Sequence, residues 1–387
     1  MAEIYANSTI TLAASASSSP QEGLFRVAQN AYISQSLSSA CNIHVRQPLE
    51  HWTGNLPLLQ RGWVFQERLL SPRILHFARD ELIWECMEFT GCECGKMDDH
   101  GSALKYEWLI SKEYFNPTRW RLLKEDRLEA WKTWSELTKE YTQLKLSKPS
   151  DIFPAISGIA KSFAKATGWE YVAGMWKETM IYDLSWYVDI PVSRCVPWRS
   201  PTFSWASIST LEEDGLGLRT SHVQWQNRTT LATVMEAKVC PTGDDPTGQL
   251  ESGYIILSGT LIQATVRHVF LGYKVENFPL GREGATRFEL RADFDLMQPG
   301  YEVKDGETVF CLGLFQEEKD GSNLTTYLVL SKKSSRPWEF NGMMGEYEFE
   351  RIGMSWAKGS YGELVERRLE EASPEYAIQH NATVKII

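Results

Sequence analysis

A chain of 387 residues is long enough for two domains, each with its own buried core. With 43% hydrophobic and 23% charged residues it has the balance of an ordinary folded protein, which excludes general disorder. A formal net charge of -10, with no basic stripe, argues against nucleic-acid binding, since phosphate contacts need Lys and Arg in surplus on one face.

The opening MAEIY reads as the last turn of a helix, and STITLAASA, residues 8–16, as a buried β-branched strand. Neither a basic region nor an uninterrupted apolar stretch marks a signal or transit peptide there. No apolar run approaches the roughly 20 residues that cross a bilayer. Seven scattered cysteines, an odd number, suit a reducing compartment. The expectation is a soluble cytoplasmic protein with no membrane span.

Residues 17–56, rich in Ser, Gln, Asn and Pro, read as a loop region with one edge strand at NIHVRQ. Trp63, Gln66, Leu69, Leu70 and Ile74 then fit a helical stripe that Pro72 bends or ends. RILHFA and LIWECM follow as a hairpin. Leu122, Leu128, Trp131, Trp134, Leu137, Tyr141 and Leu144 recur at helical spacing, predicting an amphipathic helix with a break near Glu125. Ser150 or Asp151 can cap a further helix ending on Gly168.

YVAGMW, residues 171–176, reads as core. Beyond about residue 200 short alternating runs are separated by Gly, Pro and Asp, the pattern of a sandwich or barrel. In SPTFSWASI this places Phe203 and Trp205 on the core face of a strand. ELVERRLEEASPEY, residues 363–376, reads as a short surface helix. The fold class is therefore α+β: an incomplete α/β domain over 1–110, a helical connector over 111–185 and a β-rich domain over 186–387.

Chemistry is concentrated in RGWVFQER. Trp63 and Glu67 lie four apart and share a helix face, with Gln66 beside them and Arg61 just before. A carboxylate against an indole loses hydration, its pKa rises, and it becomes useful as a general acid or base or for gripping a sugar hydroxyl. Glu67 is thus the candidate catalytic residue, with Trp63, Gln66 and Arg61 as candidate substrate contacts. The alternative is a Glu67 that pairs with Arg61, Arg68 or Arg73 and only orients the helix, and spacing alone gives this the larger share.

Cys86, Cys92 and Cys94 fall within nine residues, with His76 and His100 nearby, and thiolates could gather zinc there. C-x5-C-x-C is not a familiar structural spacing, so free thiols are the favoured reading and metal the minority one. No G-x-S-x-G elbow and no G-x-x-x-x-G-K-[ST] loop exists, which removes the commonest hydrolase and NTPase readings.

Taken in order, MAEIYANSTITLAASASSSPQEGLF, PLLQRGWVFQERLLSPRILHFARDELIWEC, DIFPAISGIAKSF, YVAGMW and SPTFSWAS resemble successive blocks of the fungal heterokaryon-incompatibility (HET) domain family and of the region that commonly follows it. The match spans most of residues 1–210. Two earlier blocks usual in that family, resembling ALSYCWG and WIDSLCIIQDD, are not in this sequence. The resemblance implies non-self recognition and programmed cell death signalling through protein partners, with self-association at a sheet edge near TITLAAS. It also implies kinship with TIR domains, some of which cleave NAD with a glutamate in W-C-x-x-E. WVFQE has the same Trp-to-Glu spacing with Val64 in place of the cysteine. On that reading NAD is a substrate and no bound cofactor is required; the remaining reading is an inactive, truncated paralogue.

Overall fold

The computed structural model describes residues 1–38, 41–47, 49, 56–95, 112, 120, 122–209, 219–220, 228–270, 272–277, 286–319, 322–334, 337–358 and 378–387. His100 and the helix expected at 363–376 lie outside the described residues. The chain divides into two compact units, Met1–Gly168 and Trp169–Ile387. Helices expected in a separate connector over 111–185 thus fall, up to Thr167, inside the first unit.

In that unit, helix α1 (Ala2–Ala6) leads into strand β1 (Thr11–Ala13), which pairs in parallel with β4 (Arg73–Phe77). β4 pairs antiparallel with β5 (Leu82–Cys86), and β5 with β6 (Thr90–Cys92), giving the order β1-β4-β5-β6. The strand expected to be buried at STITLAASA is instead a three-residue sheet edge with Leu12 56% exposed, because among the described residues β4 supplies its only strand neighbour. In the expected loop region, β2 (Gln35–Ser38) and β3 (Cys41–Val45) form a separate hairpin.

Helix α2 (Gly62–Leu70) is buried on most of its circumference; Trp63 and Glu67 are only half-buried. It stops at Ser71, whose N–H and hydroxyl both bond to the Glu67 carbonyl, one residue before a proline that has no N–H to continue. Helix α3 (Arg127–Tyr141) begins just past the expected break, where the Asp126 carboxylate accepts from the Leu128 and Glu129 amides at 3.1 and 3.0 Å. Trp131, Trp134, Leu137 and Tyr141 are buried as the stripe requires, while Leu122 is 68% exposed and lies outside it.

Helix α4 (Ser157–Thr167) starts later than a cap at Ser150 or Asp151 would place it, after a tight turn over Pro149–Ile152. It ends on Gly168 at φ 78°, a left-handed cap suited to glycine. Trp134, Phe163, Leu69, Ile156 and Ile159 fill the core of this unit, each at most 2% exposed.

The second unit opens with a hairpin of β7 (Tyr171–Val172) and β8 (Met175–Trp176), turned by Ala173 and Gly174 at positive φ. A Cβ on Gly174 would come within 2.7 Å of the Trp205 ring, so the close approach itself requires glycine. Phe203 and Trp205 are core, as expected, but not on a strand. The Ser204 hydroxyl accepts from the Ala206 amide and starts a tight turn over Trp205–Ser207, a local bond that competes with strand pairing.

Only Ile208–Ser209 (β11) is extended, and it pairs with Ser193–Arg194 (β10). Trp186–Tyr187 (β9) pairs with Arg219–Thr220 (β12), and Trp338–Phe340 (β20) with Met343–Gly345 (β21).

The main sheet holds β13 (Arg228–Thr230), β14 (Ala232–Pro241), β15 (Leu250–Val269), β16 (Gly272–Asn277), β17 (Thr286–Ala292), β18 (Thr308–Lys319), β19 (Ser322–Ser334), β22 (Glu348–Lys358) and β23 (Ile378–Ile386). Its pairing runs β15-β16-β17-β22-β19-β18 and returns to β15, so the antiparallel ladder closes on itself. Closure removes most free edges, and Leu257, Val266, Leu312, Leu314, Leu328, Leu330 and Met354 along these strands are buried. The whole is α+β with a β-rich C-terminal region. No described helix is long and apolar enough to cross a membrane.

Candidate functional site

Helix α2 packs against α1 on one side and α4 on another. The meeting point is Gly158, where an added Cβ would lie 2.7 Å from Ala2 Cβ, 2.8 Å from Gln66 Oε1 and 2.9 Å from Leu70 Cδ1. Three stretches far apart in the chain are therefore in contact at one glycine. Gln66 seals the junction: its Oε1 accepts from the Gly158 amide at 2.9 Å, and its Nε2 donates to the Pro154 carbonyl at 3.3 Å. Both ends of that amide serve the fold, so Gln66 is a packing residue and not an open ligand contact.

Trp63 is anchored too. Its indole Nε1 donates to Asp151 Oδ2 at 2.9 Å, which explains why Asp151 does not cap α4. Arg61 is exposed at the N-terminal boundary of α2, where the chain is tied to Lys145: Gly62 N–H donates to the Lys145 carbonyl at 2.8 Å, and Lys145 N–H to Gln60 at 2.7 Å.

Glu67 differs from these. Burial pushes its carboxyl above the usual range, and the bond from the Tyr5 hydroxyl and the charge of Arg61 pull it only partly back. Tyr5, on α1, is pushed up in turn by burial and then by the charge and hydrogen bond of Glu67, so it stays a donor. The result is a half-buried acid on the least covered face of α2, beside an indole and a phenol. Such a pair can hold a ligand hydroxyl or pass a proton to one. Tyr5 was not legible as a site residue, because more than sixty residues separate it from Glu67 and only tertiary packing brings them together.

Of the alternative partners of Glu67, Arg61 acts on it through its charge, whereas Arg68 faces inward and is held by another acid. Its Nε lies 3.1 and 2.9 Å from the two Glu85 oxygens and its Nη2 2.5 Å from Oε1, with Glu140 at 3.5 Å from Nη1. His76 Nε2 adds a contact to Glu85 at 3.1 Å, and its Nδ1 meets the Ser15 hydroxyl at 2.8 Å. Burial alone would raise the Glu85 carboxyl; the Arg68 charge and the His76 bond outweigh it and hold it well below the carboxylate range. Lys112 Nζ donates to the Arg68 carbonyl, and burial draws its ammonium down to about 7. A sequence signal for this cluster existed: Ile74 and His76 on β4, and Ile83 and Glu85 on β5, occupy the inward register, where a charge needs a partner.

Of the three cysteines, Cys92 and Cys94 come together with Glu81, whereas Cys86 stands at the far end of β5, opposite Arg73. The comparisons with known proteins add no relative: no family model, no curated protein and no solved structure matches the chain.

Proposed function

We propose that this chain is a HET-domain protein of non-self recognition, a cell-death signalling protein whose first unit receives its ligand at Glu67. The observation that carries this reading is the junction at Gly158. There, residues from three of the sequence blocks that resemble the HET family, Ala2, Gln66 with Leu70, and Gly158 itself, are packed within one contact shell. The test is induced expression in a fungal host with viability as the readout. Wild type is expected to kill and Glu67→Gln to be tolerated at equal protein level; a wild type without effect on growth overturns the reading.

A second reading, NAD cleavage by a TIR-like site, is favoured by one observation, the raised Glu67 carboxyl beside Tyr5. In that reaction the bond between ribose C1′ and the nicotinamide nitrogen breaks, nicotinamide leaves with the electron pair, and water adds at C1′ and gives up a proton. Glu67 would orient the ribose and stabilise the developing positive charge. Release of nicotinamide by wild type and its loss in Glu67→Gln would support it; equal release by both removes Glu67 from the chemistry.

A further inference from the structure

We propose that Glu81, Cys92 and Cys94 form a three-ligand site for a thiophilic divalent cation of the zinc type. The two sulfurs lie 3.0 Å apart, and together with a Glu81 carboxylate oxygen all three donor atoms fall within 4.8 Å of one another. The backbone builds this arrangement. Ile83 on β5 pairs with Cys92 on β6, so the strand ends are in register. Just beyond, Glu93 N–H donates to the Leu82 carbonyl at 3.2 Å and Glu93 Oε2 accepts from the Leu82 amide at 2.8 Å.

A turn then brings Cys94 back over the sheet, closed by the Gly95 amide on the Cys92 carbonyl at 3.0 Å with Gly95 at φ 70°. The Cys94 amide donates to Glu81 Oε2 at 3.0 Å, which holds the carboxylate against the sulfurs.

The donor set decides the ion. Two thiolates and one carboxylate suit zinc, whereas calcium and magnesium take oxygen ligands. With Zn–S bonds of about 2.3 Å, two sulfurs on one tetrahedral ion stand about 3.8 Å apart. Side-chain rotation of under about 1 Å reaches that spacing from the present one. Cys86 cannot join: it lies three strand residues from the Cys92 register position, about 10 Å along β5. Among the described residues three protein ligands are in place, which leaves a fourth tetrahedral position for water or another donor.

The test uses the full chain, reduced and stripped of metal, titrated with Co²⁺ and then with Zn²⁺ against a chromogenic chelator. Expected are thiolate-to-cobalt charge-transfer absorption, one ion bound per chain, and at least a tenfold loss of affinity in Cys92→Ser and in Cys94→Ser. Glu81→Gln is expected to weaken binding while keeping the charge-transfer band, and Cys86→Ser to bind as wild type. The proposal is overturned if the reduced protein binds no metal, if either serine variant binds like wild type, or if Cys86→Ser abolishes binding. Formation of a Cys92–Cys94 disulfide by a protein that shows no metal affinity when reduced also overturns it.

Discussion

Each unit buries an arginine against a carboxylate, and the two pairs are built for different ends. In the second unit Arg351 is fully buried with Asp293 at 2.7 and 3.0 Å. It spends its other N–H groups on the Leu184 and Trp186 carbonyls and lies 3.5 Å over the Trp186 ring. That arginine fastens the backbone at Leu184 and Trp186 to the barrel. In the first unit Arg68 neutralises two acids, Glu85 and Glu140, with Lys112, drawn down to about 7 by burial, close by, so its surroundings can titrate. Burial dominates at Asp293 and pushes it up despite Arg351; at Glu85 two partners win and hold it down. An ion pair fixed by carbonyls is insensitive to pH in a way that one fixed by other charges is not.

The largest effects separate the two arginines. Arg68→Met strands two buried carboxylates and is expected to cost about 5 kcal/mol, while Arg351→Met strands one and costs about 3 kcal/mol. Urea unfolding followed unit by unit with hydrogen exchange checks both; a costlier Arg351 substitution would reverse the comparison.

Acid is expected to act in the same order. Because the folded Glu85 value is depressed, its contribution is complete above its unfolded value of about 4.3 and is lost as pH falls through the folded one. Asp293 is shifted the other way and supplies no such acid-labile support. Amides of β4 and β5 should therefore lose exchange protection at higher pH than those of β15 and β18. Simultaneous loss would contradict the assignment.

Smaller effects probe the junctions around α2. Gly158→Val drives a side chain into Ala2, Gln66 and Leu70 and is expected to cost about 2 kcal/mol, read as a lower unfolding midpoint confined to the first unit. Trp63→Phe removes the indole donor to Asp151 and should cost about 1.5 kcal/mol by the same measurement.

Much of the fold was legible where one period ran long enough. The α2 helix up to Pro72, the β4–β5 hairpin, the break before α3, the Gly168 cap and the β-rich region all follow from local pattern, whereas the stripe expected on α2 does not run to Ile74, which lies on β4, and leaves Trp63 half-buried. What escaped depends on non-local competition. Asp151 looked like a cap and instead holds Trp63; Phe203 and Trp205 looked like strand residues until Ser204 turned the chain; β1 looked buried but among the described residues has a neighbour on one side only. At the candidate site, spacing pointed to Glu67 as a candidate, but it could not tell that Gln66 is consumed by Pro154 and Gly158, nor that Tyr5 arrives from α1. Closure of the barrel likewise depends on which distant strands β15 meets.

Helix α2 gives its inward residues to the fold, and the proposed function needs Glu67 free for a ligand. Viability of a fungal host expressing Glu67→Gln beside wild type, at matched protein level and with folding stability changed by no more than about 0.5 kcal/mol, tests it most directly. Wild type is expected to kill and the variant to spare the cells. A Glu67→Gln protein that kills as efficiently as wild type would contradict it.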